Sequence, residues 1–416
     1  MKYVKGYECS LCHKFFPIQE ELFTCPDCGE KGILDIIYDY EAMKKEVTKE
    51  YFLKNSEKSM WRYHLLMSVN EELLEKTLKV GNTPLYTSFN LASIINVKTL
   101  YIKDEGLNPT QSLKDRASAV AVIKAMEKNQ TTLACSSTGN AASSLAGNAA
   151  RMGLNTVIFV PKRAPVGKLT QLLYYGATVI KVDGDYKDAF QLSKLAINHY
   201  KWYNRNAAIN PHLVEGKKTV AFEIAEQLQF KPTDWVVVSV GDGCTIAGVY
   251  KGFYDLFRLG LIDKIPKLLG VQSEGCSPFV EAYESGLPLA EAEELTIADS
   301  IAVGIPRNPI KAINAVKLSL GSWMKVSDKL ILDSMVLLGK TEGIFAEPAA
   351  AASLAGLIQA RKQNVITKED SVTIIVTGNG LKDTQNALKA IQEPPTLKPN
   401  LSELINYLKT RGENDE

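Results

Sequence analysis

The chain has 416 residues and a mass of 45.8 kDa, and 45% of its residues are hydrophobic. This length suggests about two to three domains with large buried cores. The 48 Lys and Arg residues nearly balance the 47 Asp and Glu residues, whereas general nucleic-acid binders usually carry a strong basic excess. The sequence shows no apolar run of the ~20 residues that cross a bilayer and no secretory signal. We therefore expect a soluble cytoplasmic protein that binds neither nucleic acid nor a membrane.

The first predicted element is a small cysteine-containing unit, residues 1–38. Two Cys-x-x-Cys pairs are separated by 12 residues, and a glycine directly after the second pair allows a tight turn. Four thiolates suit the closed tetrahedral sites that zinc occupies in structural units. The pattern predicts a zinc ribbon without a catalytic role, and metal-free cysteines or a redox pair are the alternatives. The predicted metal ligands are Cys9, Cys12, Cys25 and Cys28.

A charged helical linker, residues 39–80, comes next, and from Thr99 onwards short β-branched runs alternate with segments of helical periodicity. Apolar strands that alternate with helices are typical of parallel sheets covered on both faces. The pattern predicts an α/β fold with two open, mostly parallel sheets. The predicted strands are Thr99–Ile102, Thr131–Cys135, Thr156–Val160, Thr178–Val182, Trp235–Val240, Leu268–Gln272 and Val372–Val376. The predicted helices include Asp115–Lys128, Ala141–Met152, Lys187–Tyr200 and Lys217–Leu228.

These elements define the expected domains. We predict a large α/β domain from residues 81–108 and 206–393, and a small α/β domain from residues 109–205. A proline-rich linker opens the C-terminal extension, residues 394–416, which ends in a short helix and a charged tail.

Four turns that follow predicted strands carry the candidate site residues. Lys114 stands at a helix start, where the partial positive charge of the helix favours the neutral amine that Schiff-base chemistry requires. Residues 136–142 open a helix with hydroxyls, an amide and free N–H groups suited to a carboxylate. Residues 241–245 combine glycines with a helix start suited to a phosphate. The fourth turn comprises residues 377–383.

Each turn alone has an ordinary structural interpretation as solvated surface, a helix cap or a tight turn. The glycines of residues 241–245 match neither the P-loop nor the dinucleotide pattern. However, all four turns follow predicted parallel strands, at the edge where open α/β sheets bind ligands. The combination is therefore far more specific than any one turn.

In this order the motifs resemble the fold-type II pyridoxal-phosphate enzymes, which have the tryptophan synthase β-subunit-like fold, and within them the threonine synthase family. The resemblance covers nearly the whole chain and includes the zinc-ribbon-like unit of some relatives. It implies a lyase of amino-acid metabolism that uses pyridoxal 5'-phosphate, acts on a small amino-acid substrate and forms a homodimer. The segments that carry it are residues 60–63, 81–85, 105–110, 112–116, 137–140, 215–219, 342–348 and 377–383.

The resemblance implies a role for each candidate residue. Lys114 is the catalytic residue, which carries the cofactor as an imine and then shuttles protons. Asn140 hydrogen-bonds the phenolic oxygen of the cofactor, and Thr377 faces its pyridine nitrogen. The substrate carboxylate is bound by residues Ser137, Thr138, Gly139, Asn140 and Ala141. The cofactor phosphate is bound by residues Gly241, Asp242, Gly243, Cys244 and Thr245.

Three positions depart from the family pattern around the substrate phosphate. Ala208 and Leu213 stand where the family carries a serine and an arginine that help to hold this phosphate, and Asp242 replaces an asparagine. Losing an arginine–phosphate pair and adding a carboxylate make a site less favourable to an anion. The first hypothesis, conversion of O-phospho-L-homoserine and water to L-threonine and phosphate, is weakened by these changes.

Two other hypotheses follow. A lyase or β-replacement enzyme on the same scaffold, for example a serine or threonine dehydratase, would act on a substrate without a phosphate or with a phosphate bound differently. A zinc-ribbon interaction protein with a degenerate α/β domain is disfavoured by the intact turn around Lys114. Within the first hypothesis, three neighbours in sequence offer replacement donors for the phosphate: His212, Lys217 and Lys218.

Overall fold

The computed structural model describes residues 1–18, 22–164, 166–184, 186–206 and 208–410. Its strands are numbered in chain order. They are β1 (Val4–Cys9), β2 (Phe15–Pro17), β3 (Thr24–Cys25), β4 (Gly29–Tyr38), β5 (Leu85–Ser88), β6 (Thr99–Asp104), β7 (Thr132–Ser136), β8 (Asn155–Pro161), β9 (Thr178–Val182), β10 (Tyr203–Asn204), β11 (Trp235–Ser239), β12 (Lys267–Ser273), β13 (Ser322–Val326) and β14 (Ser371–Val376).

The strands form three sheets. An N-terminal antiparallel sheet has the order β2-β1-β4-β3. A parallel sheet of four strands has the order β10-β7-β8-β9. A sheet of six strands has the order β13-β12-β11-β14-β6-β5, and its only antiparallel pair among the described residues is β5 with β6. The predicted α/β class with two open, mostly parallel sheets is therefore confirmed.

The helices are also numbered in chain order. The α-helices are α1 (Tyr40–Met43), α2 (Lys49–Lys54), α3 (Phe89–Ile95), α4 (Lys114–Glu127), α5 (Asn140–Arg151), α6 (Val166–Tyr174), α7 (Tyr186–Tyr200), α8 (His212–Gln227), α9 (Cys244–Arg258), α10 (Pro278–Ser285), α11 (Pro309–Leu318), α12 (Asp328–Glu342), α13 (Pro348–Lys362), α14 (Thr384–Leu388) and α15 (Leu401–Thr410). Short 3₁₀ helices occur at Met60–Leu66, Glu71–Lys76, Glu105–Leu107, Asp299–Ile301 and Gly380–Asp383. None of the described helices is long and apolar enough to cross a bilayer.

Burial on both faces explains the continuous apolar runs of the six-stranded sheet. All residues of β11 are buried. Successive strand residues point to opposite faces, and Val236 and Val238 join one apolar cluster whereas Trp235 and Val237 join another. The second cluster also receives the alanine-rich helix α13. A strand covered on both sides therefore has no polar face to interrupt its pattern.

The linker of residues 39–80 differs from the predicted helical stretch. It contains α1, α2 and two 3₁₀ helices instead of a continuous helix. The side chains of Asp39, Thr48 and Ser59 each accept a hydrogen bond from a backbone N–H at the start of a new short helix. Such caps stabilise helix starts, so the polar residues divide the stretch.

The N-terminal sheet packs on the helices that flank the six-stranded sheet. Tyr7 contacts His212 with 3.4 Å between the phenolic oxygen and Nε2, and the Tyr38 hydroxyl donates a hydrogen bond to Glu215. Lys311 Nζ on α11 donates to the backbone oxygen of Leu34 at 2.6 Å. The cysteine-bearing unit is therefore anchored to α8, the helix that leads into the candidate active site.

Candidate active site

Two of the predicted turns are joined directly. Leu113 N donates to the backbone oxygen of Thr377 at 2.9 Å, and Asn379 N donates to the backbone oxygen of Gln111 at 3.1 Å. These bonds tie the start of α4 to the turn that follows β14. Lys114 is the first residue of α4, so its position is set by both the six-stranded sheet and this helix.

Lys114 carries an amine suited to nucleophilic chemistry. Burial lowers the pKa of this lysine, and the Arg205 charge lowers it further, while Cys244, Glu347 and Asp242 act in the opposite direction. No side chain or carbonyl of the described residues accepts a hydrogen bond from its Nζ. A neutral amine without a partner is the form that attacks a carbonyl carbon.

The turn that follows β7 opens α5 with free backbone donors. Gly139 is the N-cap residue, and no side chain of the described residues caps this helix. Gly139 N donates to Ser137 Oγ at 3.2 Å, and Asn140 points its side chain away from the helix to Glu347. The uncapped N–H groups and the helix dipole can bind a carboxylate.

Glu347, at the N-cap of α13, is a site residue that the sequence analysis did not single out. Asn140 Nδ2 donates to Glu347 Oε1 at 2.7 Å. Burial raises the pKa of Glu347 to about 7, although Lys382, Asn140 and Lys114 oppose the shift. A Cβ on Gly378 would lie 2.5 Å from Glu347 Oε1, so the carboxyl group packs against that glycine. The segment was visible in the family resemblance, but only the fold brings the carboxyl group to Asn140.

The turn that follows β11 has a backbone conformation suited to binding an anion. Gly243 has a φ of +87°, and a Cβ there would lie 2.7 Å from the Ala312 Cβ. The next residue begins α9, and no described side chain caps this helix. Beside the turn, Asn308 is fully buried, and neither its side-chain nitrogen nor its side-chain oxygen has a hydrogen-bond partner among the residues described. Free N–H groups and an unpaired amide fit a phosphate group, because each needs a polar ligand.

A cavity of about 350 Å³ lies between the start of α5 and the turn that follows β14. Loops of both parallel sheets contribute to it, which is the usual location of ligands in open α/β sheets. Thr138, Gly139 and Asn140 line it together with Glu347, whereas Ser137, Ala141, Lys114, Thr377 and residues 241–245 do not. The lining residues are Gln111, Thr138, Gly139, Asn140, Ser143, Thr170, Gln171, Tyr174, Tyr175, Asp299, Ser300, Glu347, Leu381, Lys382 and Asp383.

Two of the three positions that depart from the family pattern, Ala208 and Leu213, are buried and carry no polar side-chain atom. Leu213 is fully buried in an apolar cluster with Ala117, Cys135 and Tyr203, and Ala208 is also buried. A leucine in this cluster contributes packing and offers no donor to an anion. Any phosphate ligand must therefore come from other residues.

The three replacement donors differ in their partners. His212 Nδ1 lies 2.8 Å from Ser68 Oγ. Lys218 Nζ lies 2.5 Å from a Glu215 oxygen and 2.6 Å from an Asp255 oxygen. Lys217 is buried, and no described residue accepts a hydrogen bond from it. Of the three, Lys217 is the residue left available for a ligand.

The N-terminal unit brings its four cysteines together. The sulfur atoms of Cys9, Cys12, Cys25 and Cys28 all lie within 4.8 Å of one another. Cys12 Sγ and Cys25 Sγ are 3.8 Å apart, and a tetrahedron with ~2.3 Å Zn–S bonds has S–S separations of about 3.8 Å. The arrangement fits one tetrahedral zinc ion.

Residues 76–378 match the protein family described as "Pyridoxal-phosphate dependent enzyme". The chain is 39% identical over 406 residues to the threonine synthase of Methanocaldococcus jannaschii. The aligned region covers 96% of this chain and 98% of that protein. The chain is 40% identical over 397 residues to the threonine synthase of Methanosarcina acetivorans, with 95% and 96% covered.

Solved structures show the same fold at lower identity. The structure of diaminopropionate ammonia lyase from Escherichia coli matches with a TM-score of 0.65 and 20% identity, covering 83% of this chain and 94% of that chain. The match supports the arrangement of the two parallel sheets. At this identity it concerns the fold alone.

Proposed function

Because the chain belongs to the pyridoxal-phosphate dependent enzyme family, and within it to the threonine synthases, we propose that it converts O-phospho-L-homoserine and water to L-threonine and phosphate. One observation supports this most strongly. The partly buried amine of Lys114, which has no partner among the described residues, stands at the start of α4, and the Gly243 turn, which is suited to an anion, lies close to it. These are the two groups that a phosphorylated aldehyde cofactor requires.

The residues fit pyridoxal phosphate at both of its ends. Lys114 would hold it covalently through Nζ, and the uncapped start of α9 with residues 241–245 would hold its phosphate. Asn140 would hydrogen-bond its phenolic oxygen, and Thr377 would face its ring nitrogen. When bound, the cofactor supplies an electron sink for carbon–hydrogen bond cleavage beside an amine. The start of α5 would orient the substrate by its carboxylate.

Two side chains of this chain would handle protons. Lys114 has a pKa lowered by burial, so its amine can take a proton from the substrate and return one to it. Glu347, whose pKa is about 7 as a consequence of burial, can hold or release a proton near neutral pH. It would adjust the hydrogen bond from Asn140 Nδ2 as charge develops at the site.

The alternative is a dehydratase-like lyase that acts on an unphosphorylated amino acid. This alternative is supported by Ala208 and Leu213, which stand where the family carries phosphate-binding side chains. Leu213 lies in an apolar cluster and cannot bind a phosphate. The alternative is less well supported than the first function, because relatives at 39% and 40% identity carry the name threonine synthase.

A product assay separates these functions. Holoenzyme is incubated with O-phospho-L-homoserine, and phosphate and L-threonine are both quantified. We expect equal amounts of the two products and a kcat/KM of roughly 10⁴ M⁻¹s⁻¹ or more, with no product from L-homoserine as the control substrate. Absence of phosphate release, together with 2-oxo acid and ammonia from serine or threonine, would replace the proposed function with the alternative.

We also propose one structural zinc ion on the four cysteines of the N-terminal unit. Metal analysis by mass spectrometry should find about one zinc per chain, and almost none in a Cys9→Ser/Cys12→Ser variant. Cys276→Ser, at a buried cysteine outside the cluster, is the control and should keep its zinc. A chelator that removes all activity while the fold stays intact would contradict a purely structural role.

The family resemblance further supports two proposals beyond the site. We propose a homodimer, so light scattering of the holoenzyme should give about twice the chain mass of 45.8 kDa. A cytoplasmic location stays a prediction, to be checked by cell fractionation.

A further inference from the structure

Two buried cations near Lys114 lack an ion-pair partner in the part of the chain that the structure describes. Arg205 and Lys217 are each 3% exposed. Arg205 donates through Nε at 3.1 Å and through Nη2 at 3.0 Å, both to the hydroxyl of Ser118. No described residue forms an ion pair with either cation, and Arg205 Nη1 has no hydrogen-bond acceptor among them. Burying a charge without a partner is costly, so such a pair points to an anionic ligand.

The backbone places Arg205 beside the start of α4. Arg205 directly follows β10, and its N–H donates to the Ala134 oxygen at 3.1 Å. Ser118, which accepts from its guanidinium, lies four residues after Lys114 in α4. Residues four apart share one face of a helix. The guanidinium therefore lies on the Lys114 face of α4.

Lys217 reaches the same place from α8. A Cβ on Gly216 would lie 2.2 Å from the Arg116 backbone oxygen. Helix α8 therefore contacts α4 within the first turn after Lys114. A Cβ on Gly248 would lie 2.9 Å from the Lys217 Cβ, so α9 also touches α8 here. Lys217 thus lies between the starts of α4 and α9, where the sequence analysis expects cofactor and substrate.

The charges around Lys217 agree with this placement. The pKa of Lys217 is lowered to about 7, mainly by burial and in addition by the Lys114 and Arg205 charges, while Cys244 and Asp242 oppose the shift. Asp242 is the carboxylate that faces Lys217, and it forms no ion pair with it. The neighbouring Lys218 has two carboxylate partners. Positive charge therefore exceeds negative charge on the Lys217 side of α8.

We propose that Arg205 and Lys217 form the subsite for the substrate's phosphate group and replace the serine and arginine that are absent at Ala208 and Leu213. A phosphate monoester dianion offers two charges and several acceptor oxygens, which suit one arginine fork and one ammonium. The inference rests on the proposed function for the identity of the substrate. The cofactor also carries a phosphate group, which the same two cations could bind. The experiment therefore distinguishes the substrate's phosphate from the cofactor's phosphate.

The test uses the holoenzyme of Arg205→Gln and of Lys217→Gln. Three constants are measured: KM for O-phospho-L-homoserine, the inhibition constant of inorganic phosphate, and Kd of pyridoxal phosphate. We expect the first two to rise roughly 10- to 100-fold in each variant, because each removes a charged hydrogen bond, while the third changes little. Arg205→Lys and Lys217→Arg should recover part of the loss. Lys340→Gln, at an exposed lysine of α12, should match wild type.

The other outcomes overturn the proposal. If Kd of the cofactor rises while phosphate inhibition is unchanged, the two cations hold the cofactor's phosphate. If none of the three constants changes, Arg205 and Lys217 hold neither the substrate's phosphate nor the cofactor's phosphate. The proposed function fails separately, when wild type releases no phosphate from O-phospho-L-homoserine. In that case weaker inhibition by inorganic phosphate in the variants would still support a phosphate subsite at Arg205 and Lys217.

Discussion

Two groups of buried charges in this chain differ in how they are neutralised. In the paired group, Arg116 donates to Glu105 at 2.6 Å and to Glu223 at 2.7 Å, and Lys103 donates to Glu223 at 2.7 Å. This group contains two cations and two anions. The unpaired group consists of Arg205 and Lys217, which are also buried but form no ion pair among the described residues. It lies beside the amine of Lys114.

This difference distinguishes the paired group, whose charges stabilise the fold, from the unpaired group, whose charges we propose to bind a ligand. Arg116 and Lys114 are two residues apart in α4, so helix rotation points them in different directions. The paired group satisfies its own charges and joins α4, α8 and β6. The unpaired group is complete only with an anion, and the proposed reaction provides one in the cofactor and one in the substrate.

The largest effect is expected at Lys114. Lys114→Ala should lower kcat by at least ~10³-fold, because it removes both the covalent attachment of the cofactor and a proton carrier. Borohydride should no longer fix the cofactor to the chain, as judged by mass spectrometry. The unfolding free energy of the cofactor-free enzyme should not fall, since the amine has no native partner. A variant that keeps a reducible cofactor linkage and full activity would remove Lys114 from its assigned role.

Replacing a cation of the paired group should lower the unfolding free energy, unlike the Lys114→Ala change. Arg116→Leu leaves Glu105 and Glu223 buried with too little positive charge, and loss of one partner of a buried ion pair costs about 3–5 kcal/mol. Urea unfolding of the holoenzyme should report this loss. Arg151→Leu, at an exposed arginine of α5, is the control and should stay within about 0.5 kcal/mol of wild type. Equal stabilities of the two variants would show that the paired group is not structural.

A smaller change in unfolding free energy, in this case a stabilisation, is expected when Lys217 is replaced. Lys217→Met should stabilise the cofactor-free enzyme in phosphate-free buffer by roughly 1–3 kcal/mol at pH 6, because it removes an unpaired buried charge. The pKa of Lys217 is lowered to about 7 in the folded chain from 10.5. The unfolded chain therefore binds more protons above pH 7, and wild-type stability rises with pH between these values.

The advantage of the Lys217→Met variant should accordingly shrink from pH 7 towards pH 10. Urea unfolding at several pH values measures it. Lys340→Gln provides the control, with a difference from wild type that does not depend on pH over this range. A Lys217→Met variant that is less stable than wild type at pH 6 would mean that Lys217 has a partner within the fold.

The smallest effect concerns the contact between the N-terminal unit and α8. Tyr38→Phe removes the hydroxyl that donates to Glu215, which keeps its ion pairs with Lys218 and Lys251. We expect a loss of about 1 kcal/mol in unfolding free energy and an unchanged inhibition constant for phosphate. Tyr283→Phe, at an exposed tyrosine, should have no effect. A large rise in the phosphate inhibition constant would show that this contact positions Lys217.

Much of the fold was predictable from local sequence patterns. The seven predicted strands occur within two residues of their predicted bounds, because strands buried on both faces are continuous apolar runs between turns. The strands β5, β10 and β13 of the two mostly parallel sheets were missed. β5 is short and largely exposed, β10 has two residues, and Ser322 and Lys325 interrupt the apolar run of β13. Helix α8 begins earlier than predicted, at His212.

The candidate site was predictable only where motifs mark it. Lys114 and the turns of residues 137–141, 241–245 and 377–383 follow strands in the sequence, so their positions at the carboxyl ends of the two parallel sheets could be expected. Arg205 belongs to no motif. Its importance depends on the absence of an ion-pair partner for it among the described residues, which a sequence does not show.

Lys217 and Lys218 illustrate the same limit. They are adjacent lysines in one helix, and composition and periodicity treat them alike. The ~100° rotation between neighbouring helix residues turns Lys218 towards Glu215 and Asp255 and Lys217 towards Gly248. The carboxylate of Asp255 comes from α9, more than thirty residues away, so only the packing of α8 on α9 distinguishes the two amines.

The most direct test of the difference between the two charge groups is ligand-linked stability. Urea unfolding of the holoenzyme is measured with and without inorganic phosphate, for wild type and for Arg205→Gln/Lys217→Gln. A ligand at about 100 times its Kd should stabilise the folded state by about 2.7 kcal/mol. We predict this gain for wild type and almost none for the double variant. An equal gain in both proteins would contradict the account, because phosphate would then bind without the unpaired cations.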